Sequence, residues 1–277
     1  MSTSLFILSG GGMRGLDVLA GQLQGLADAG ITPTAICGTS AGAAIGALAA
    51  FGRPADEIAD IISGLRDRDV RSERWFWKSR ALWINHFMES APIRALLHRW
   101  LPSTPDALAM PYACTTTRTM DGAETVWTSA QAVLPGEPMP QDWRECVLAS
   151  MSISGVFPWV CIADAHYADG GVRANLPLPP NWRDFDEVYF LIASYTNDYA
   201  AAGSSIVSRL LLNASWYAQD QIEDVLARVA VASPARMPRV VTLRPPADAG
   251  RGSLLRFDHS LISSARQAVK GRLSQTV

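Results

Sequence analysis

The chain has 277 residues, 48% apolar and only 18% charged, below the roughly 25% charge of an average soluble domain, and it is long enough to bury a core without covalent staples. Its formal net charge of -2 supplies no bulk field for nucleic acid, so any attraction to an anionic surface must come from a local patch. No stretch approaches the ~20 apolar residues that cross a bilayer and no cationic leader opens the chain, so the expectation is a cytoplasmic protein.

Residues 5–8 read as a short apolar strand, followed at once by Ser9-Gly10-Gly11-Gly12-Met13-Arg14-Gly15. Leu16, Leu19, Leu23 and Leu26 then recur at helical spacing, and Gly30 fits a helix terminator. A second strand over residues 35–37 runs into Gly38-Thr39-Ser40-Ala41-Gly42 and an alanine-rich helix that ends near residues 51–54. Two successive strand–turn–helix units predict an α/β fold whose sheet is built through right-handed crossovers. Residues 55 to about 108 read as helical and carry a dense aromatic and basic stretch over 71–87, including Trp75, Trp77, Trp83 and Phe87. Asp121-Gly122 between two β-rich runs predicts a hairpin over 112–128. A helix follows over 140–150, then short strands at 160–162 and 166–168 lead into Asp169-Gly170-Gly171. Residues 188–193 and 240–243 read as buried parallel strands, and residues 206–231 and about 259–273 as helices. No repeat or linker interrupts the chain, so one domain over 1–277 is expected. Nothing in the sequence sets the oligomeric state.

Cys37, Cys114, Cys146 and Cys161 lack CxxC spacing and fall in apolar segments, which predicts reduced, buried thiols. The histidines and acids show no ligand spacing, so neither a metal nor another cofactor is expected.

Ser40 lies at the centre of Gly38-x-Ser40-x-Gly42, between a strand and a helix, the setting of a nucleophile elbow. The glycine loop is ambiguous by itself, because Gly10-x-Gly12-x-x-Gly15 also satisfies a dinucleotide fingerprint. That reading needs an acid at the end of strand two, where Gly38-Thr39-Ser40 stands instead, while Asp28 falls in the preceding helix. As an oxyanion hole the loop offers backbone N–H groups from Gly11 and Gly12, with Gly10 and Met13 as neighbours. The base has two candidates. The order Ser40, Asp169, His259 matches an α/β-hydrolase triad, but the serine follows the second strand, too early for that fold, and His259 opens a helix. Asp169, at a strand end before Gly170 and Gly171, is the better candidate.

Together these segments resemble the patatin-like phospholipases, whose members carry a glycine-rich oxyanion loop, a GxSxG serine and a downstream Asp-Gly-Gly or Asp-Gly-Ala. Gly10 to Gly15, Gly38 to Gly42 and Asp169 to Gly171 match these in order and spacing. Ala149-Ser150-x-Ser152, Phe157-Pro158, Asn175-x-Pro177 and Phe257-Asp258-x-Ser260 are also similar, while Ser154 stands where a proline is expected. The resemblance implies a three-layer α/β/α fold with a mostly parallel sheet and a helical lid insertion. It also implies a lipid or other acyl-ester substrate and a Ser40–Asp169 dyad working through an acyl-serine. Arg14 matches the family's loop arginine, with loop anchoring and charge stabilisation both open as its role. An aspartate base predicts activity that persists below the ~6.5 of a histidine base. Residues 71–87 have two readings, a packed helical lid, which is favoured, and a surface that rests on lipid. The competing functional class is a catalytically silent lipid-binding protein of the same fold.

Overall fold

The computed structural model describes residues 2–70, 86, 88–193, 206–232, 237–250 and 254–274. Nine strands form one sheet: β1 Ser4–Leu8, β2 Ala35–Thr39, β3 Tyr112–Arg118, β4 Glu124–Thr128, β5 Glu137–Pro138, β6 Val160–Ile162, β7 Ala165–Asp169, β8 Glu187–Leu191 and β9 Arg239–Leu243. The helices are α1 Gly12–Asp28, α2 Ala41–Ala50, α3 Ala55–Ser63, α4 Asp67–Val70, α5 Ala91–Trp100, α6 Arg144–Ser150, α7 Ile206–Val231 and α8 Ser260–Ser274. The sheet runs β5-β4-β3-β2-β1-β8-β9, with β7 also paired to β3 and β6 to β7. Its centre, from β3 to β9, is parallel throughout, and the α/β expectation with a mostly parallel sheet holds.

Alternation along β1 shows how the layers form, because successive side chains of a strand face opposite sides. Phe6 and Leu8 join the core beneath α1, α2 and α8. Leu5 and Ile7 join the opposite core, with Trp182, Phe185 and the α7 residues Ile222, Val225 and Val229. The strand is buried on both faces, as its unbroken apolar run requires. The Asp121-Gly122 hairpin is present, with Gly122 at φ 67° and β3 and β4 antiparallel. Cys37, Cys114 and Cys146 are buried, and burial pushes their thiols up. Cys161 corrects the expectation of four buried thiols. It sits in β6, whose alternation turns it outward.

Between residues 55 and 108 the described helices are α3, α4, α5 and a 3-10 turn at Pro105–Ala107, whereas the aromatic stretch 71–87 lies, apart from His86, outside the described residues. Among the described residues no helix is long and apolar enough to cross a membrane.

One arrangement of β3 sets the position of the site. Thr39 at the end of β2 pairs with Thr115, while Asp169 at the end of β7 pairs with Thr116. The other edge of β3 is taken by β4. β2, parallel to β3, and β7, antiparallel to it, therefore run toward each other along one edge and stop against each other.

Burial predicts where this fold is sensitive. Phe190, fully buried in β8, is expected to cost about 3–5 kcal/mol when changed to Ala. Met120, 86% exposed, is expected to change stability by less than about 0.5 kcal/mol. Urea denaturation of Phe190→Ala and Met120→Ala checks the contrast.

Candidate active site

The head-on meeting of β2 and β7 brings Ser40 and Asp169 together. Ser40 Oγ donates to Asp169 Oδ2 at 2.7 Å, and both residues are buried. Gly171 N–H donates to Asp169 Oδ1 at 2.7 Å, so one carboxylate oxygen is held by backbone and the other faces the serine. The Asp169 N–H is bound by Ser152 O at 2.9 Å and its carbonyl accepts from Thr117 Oγ1 at 2.9 Å. The carboxylate is fixed at both ends of its residue.

Ser40 carries the elbow's strain itself. Its φ is 53°, a left-handed conformation that costs a non-glycine residue roughly 1–3 kcal/mol. The flanking glycines serve close approach, and neither has a positive φ. A Cβ on Gly42 would collide with the Leu8 carbonyl and one on Gly38 with the Gly42 carbonyl. Ser150 Oγ accepts the Ser40 N–H at 2.9 Å. Thr39 Oγ1 donates to Ala174 O at 2.8 Å, which leaves Thr115 Oγ1 to donate to Thr39 at 2.5 Å. These bonds tie the elbow to α6, β3 and the segment after Asp169.

Two amides of the glycine-loop segment are taken within the fold. Gly10 N–H donates to Asn175 O at 2.9 Å and Met13 N–H to Leu254 O at 2.8 Å, so neither amide is available to a ligand. Gly11 and Gly12, with Gly10 and Met13 as their neighbours, line the same cavity as Ser40 and Asp169. Gly12, at φ 64° with the Leu254 carbonyl against its Cα, is the one loop position where a side chain is excluded twice over. Gly170 and Gly171 form a 3-10 turn without positive φ. Their place in the site comes from Gly171 N–H and from the close approach of Gly170 to Thr115.

Arg14 does not face the serine. Its Nη1 meets Asp258 Oδ2 at 3.0 Å and its Nε donates to Ala249 O at 3.3 Å, so of its two expected roles the geometry supports loop anchoring. Next to it the fully buried Asp17 meets His259 Nδ1 at 2.7 Å and accepts from Asp258 N–H at 2.8 Å. His259 Nε2 donates to Leu65 O at 2.9 Å. Burial alone would lower His259, but its bonds to Asp17 and Leu65 raise it overall, while burial raises Asp17. Both ring nitrogens of His259 are engaged away from Ser40, and no histidine lines the cavities at the serine. The triad reading loses its base.

The cavity over Ser40 measures about 200 Å³, walled by Gly11, Gly12, Asp169, Asn175 and, from α7, Ala214, Ser215 and Tyr217. The role of α7 was not legible in the sequence. Gln221 on the same helix accepts the Asn175 N–H at 2.8 Å and donates to Val172 O at 3.2 Å, holding the turn after Asp169. A larger groove of about 710 Å³ lies between α7, β9 and α8, but Ser40 and Asp169 are not among its walls. Among the described residues no group of three or more His, Cys, Asp or Glu is placed to hold a metal ion.

Burial raises the Asp169 carboxyl to about 6, against the lowering pull of the Ser40 and Gly171 hydrogen bonds. This moves it toward imidazole and shrinks the expected difference in pH profile between an aspartate and a histidine base. It also predicts a stability effect. Because the folded value of about 6 exceeds the ordinary 3.8, ionising Asp169 works against folding. That penalty is absent below the unfolded value and complete above the folded one. Asp169→Asn is therefore expected to stabilise the protein by up to about 3 kcal/mol at about pH 8 and by nothing at about pH 3. Denaturation curves at the two pH values check the sign.

Comparison with known proteins gives three findings. The family model for patatin-like phospholipase matches residues 6–182, a span that holds the glycine loop, Ser40 and Asp169. No curated protein matches the sequence. Among solved structures VipD from Legionella pneumophila is similar in fold, with a TM-score of 0.55 at 14% identity, covering 99% of this chain and 66% of VipD. This chain thus spans slightly less than two thirds of that protein.

Proposed function

The chain belongs to the patatin-like phospholipase family, and on that premise we propose that it is a lipid acyl hydrolase with Ser40 as nucleophile and Asp169 as its only catalytic partner. The observation that carries the proposal is the 2.7 Å hydrogen bond from Ser40 Oγ to Asp169 Oδ2, which is within proton-transfer reach. As Oγ attacks the ester carbonyl carbon, its proton passes to Asp169 Oδ2. The carbonyl oxygen becomes an oxyanion and is held by the N–H groups of Gly11 and Gly12, each such donor typically being worth about 2.7–4 kcal/mol.

Collapse of the tetrahedral intermediate breaks the bond to the alcohol oxygen, which takes the proton from Asp169 and leaves. Water then attacks the acyl-serine, gives its proton to Asp169, and the proton returns to Oγ as the fatty acid departs. A carboxyl raised to about 6 by burial is a stronger base than an ordinary aspartate and is ionised near neutrality. The positive end of α2, which starts at Ala41, favours the developing alkoxide.

A lipidic substrate also suits the mouth of the cavity. Val172 and Tyr217, which line it, and the adjacent Trp216 are among the few large apolar side chains that stand exposed. Trp and Tyr favour the boundary between water and acyl chains. In this reading helices α3 and α5 help shield the site and the protein is one catalytic unit.

Turnover of an acyl ester separates this function from a silent lipid-binding protein. Ser40→Ala and Asp169→Asn are expected to lower kcat at least a thousandfold with the circular dichroism spectrum unchanged. His259→Gln is expected to keep kcat within about tenfold. The proposal fails if the wild-type protein hydrolyses no ester and resists a fluorophosphonate, or if His259→Gln abolishes turnover while Asp169→Asn does not.

A further inference from the structure

Among the described residues Ser40 borders two cavities, both largely apolar, that differ in whether hydrogen-bonding side chains other than Ser40 line them. The one beneath α7 is the larger and carries the polar side chains of Asp169, Asn175 and Ser215. The second measures about 40 Å³, and apart from Ser40 its described walls are apolar or glycine, among them Leu16, Ile93, Met151 and Phe157. It adjoins a third, of about 30 Å³, with which it shares the walls Leu16, Val70, Ile93 and Met151. The third is also lined by Ala44 and Leu48 of α2 and by Leu97 and Leu101. No charged side chain lines either narrow cavity among the described residues.

We propose that this narrow tract between α2, α3 and α5 is the acyl-chain subsite, that the wider cavity beneath α7, where Asp169, Asn175 and Ser215 offer hydrogen-bond partners, takes the alcohol arm of the ester, and that the tract's depth selects medium-length chains. The inference rests on the acyl-hydrolase reading above. An ester presents two arms to the serine, and a phosphate-bearing arm cannot enter an unbranched slot without hydrogen-bond partners. An alkyl chain can, gaining about fourfold in affinity for each methylene buried.

The depth follows from α2. Ala41, a wall of the second cavity, and Leu48, a wall of the third, are about 10 Å apart at 1.5 Å rise per residue. An extended chain with C–C bonds of about 1.5 Å advances about 1.25 Å per carbon, so about eight carbons fill the tract. Ala44 lies between them on the same face of α2, three residues from Ala41 and four from Leu48. Only a methyl group stands there, and a larger side chain would close the passage.

The test is a series of p-nitrophenyl esters from acetyl to palmitoyl, assayed by kcat/KM in wild type, Ala44→Phe and Leu48→Ala. The wild-type optimum is expected near the octanoyl ester. In Ala44→Phe the octanoyl-to-butyryl ratio is expected to fall at least tenfold. In Leu48→Ala, which lengthens the tract and tolerates folding differently, the optimum is expected to move about two carbons longer. An optimum that stays in place in both variants, with butyryl ester still hydrolysed, overturns the acyl assignment and leaves the acyl-hydrolase reading standing. Failure of wild type on every ester, with no fluorophosphonate labelling of Ser40, overturns the reading itself.

Discussion

Everything at the site depends on two strands that share one edge of a third. β2 arrives at β3 from one direction and β7 from the other, and their last residues sit opposite Thr115 and Thr116. A residue placed just after β2 and one placed at the end of β7 must then be neighbours, although 129 positions separate them in the chain. That collision produces the hydrogen bond between Ser40 and Asp169. Its geometry is shared among supports: the buried Ser150 beneath the elbow, the buried Ser152 behind the aspartate, and the half-buried Gly171 on the second carboxylate oxygen. With the serine held in a left-handed conformation, the site stores strain that this packing must maintain.

Under the proposed function, the same fold explains how a carboxylate would serve without a histidine. Asp169 is desolvated where it stands, which lifts it toward the range of a useful base, while its two hydrogen bonds keep the lift from running further. The glycine loop is held separately. Gly10 is fixed to Asn175 and Met13 to Leu254, and Arg14 is anchored by Asp258 and Ala249. The loop's outer amides serve as fastenings, and Gly11 and Gly12 line the cavity with Ser40. His259 belongs to these fastenings through Asp17. A histidine that sequence order alone would admit as a base thus has a structural explanation.

Much of this was legible in the sequence because it is local. β1, the glycine loop and α1 follow from an apolar run, consecutive glycines and leucines at helical spacing, and the elbow follows from small residues around Ser40. What was not legible is what depends on distant partners. The outward turn of Cys161 comes from register in a three-residue strand. The loss of Gly10 and Met13 as donors comes from carbonyls at Asn175 and Leu254, far along the chain. The roof supplied by α7 had no local signal, since Ser215, Tyr217 and Gln221 read as ordinary helix residues until the helix is laid over the turn after Asp169. The raised carboxyl was visible as a need of the chemistry, but its size depends on burial that only the folded chain provides.

The pH dependence of the rate at which a fluorophosphonate labels Ser40 tests the dyad most directly, because labelling needs the base and no later step. The account predicts a rate that rises with pH through a single midpoint near 6, keeps that midpoint in His259→Gln and disappears in Asp169→Asn. A midpoint that shifts or vanishes with His259→Gln, or labelling that survives Asp169→Asn undiminished, would contradict it.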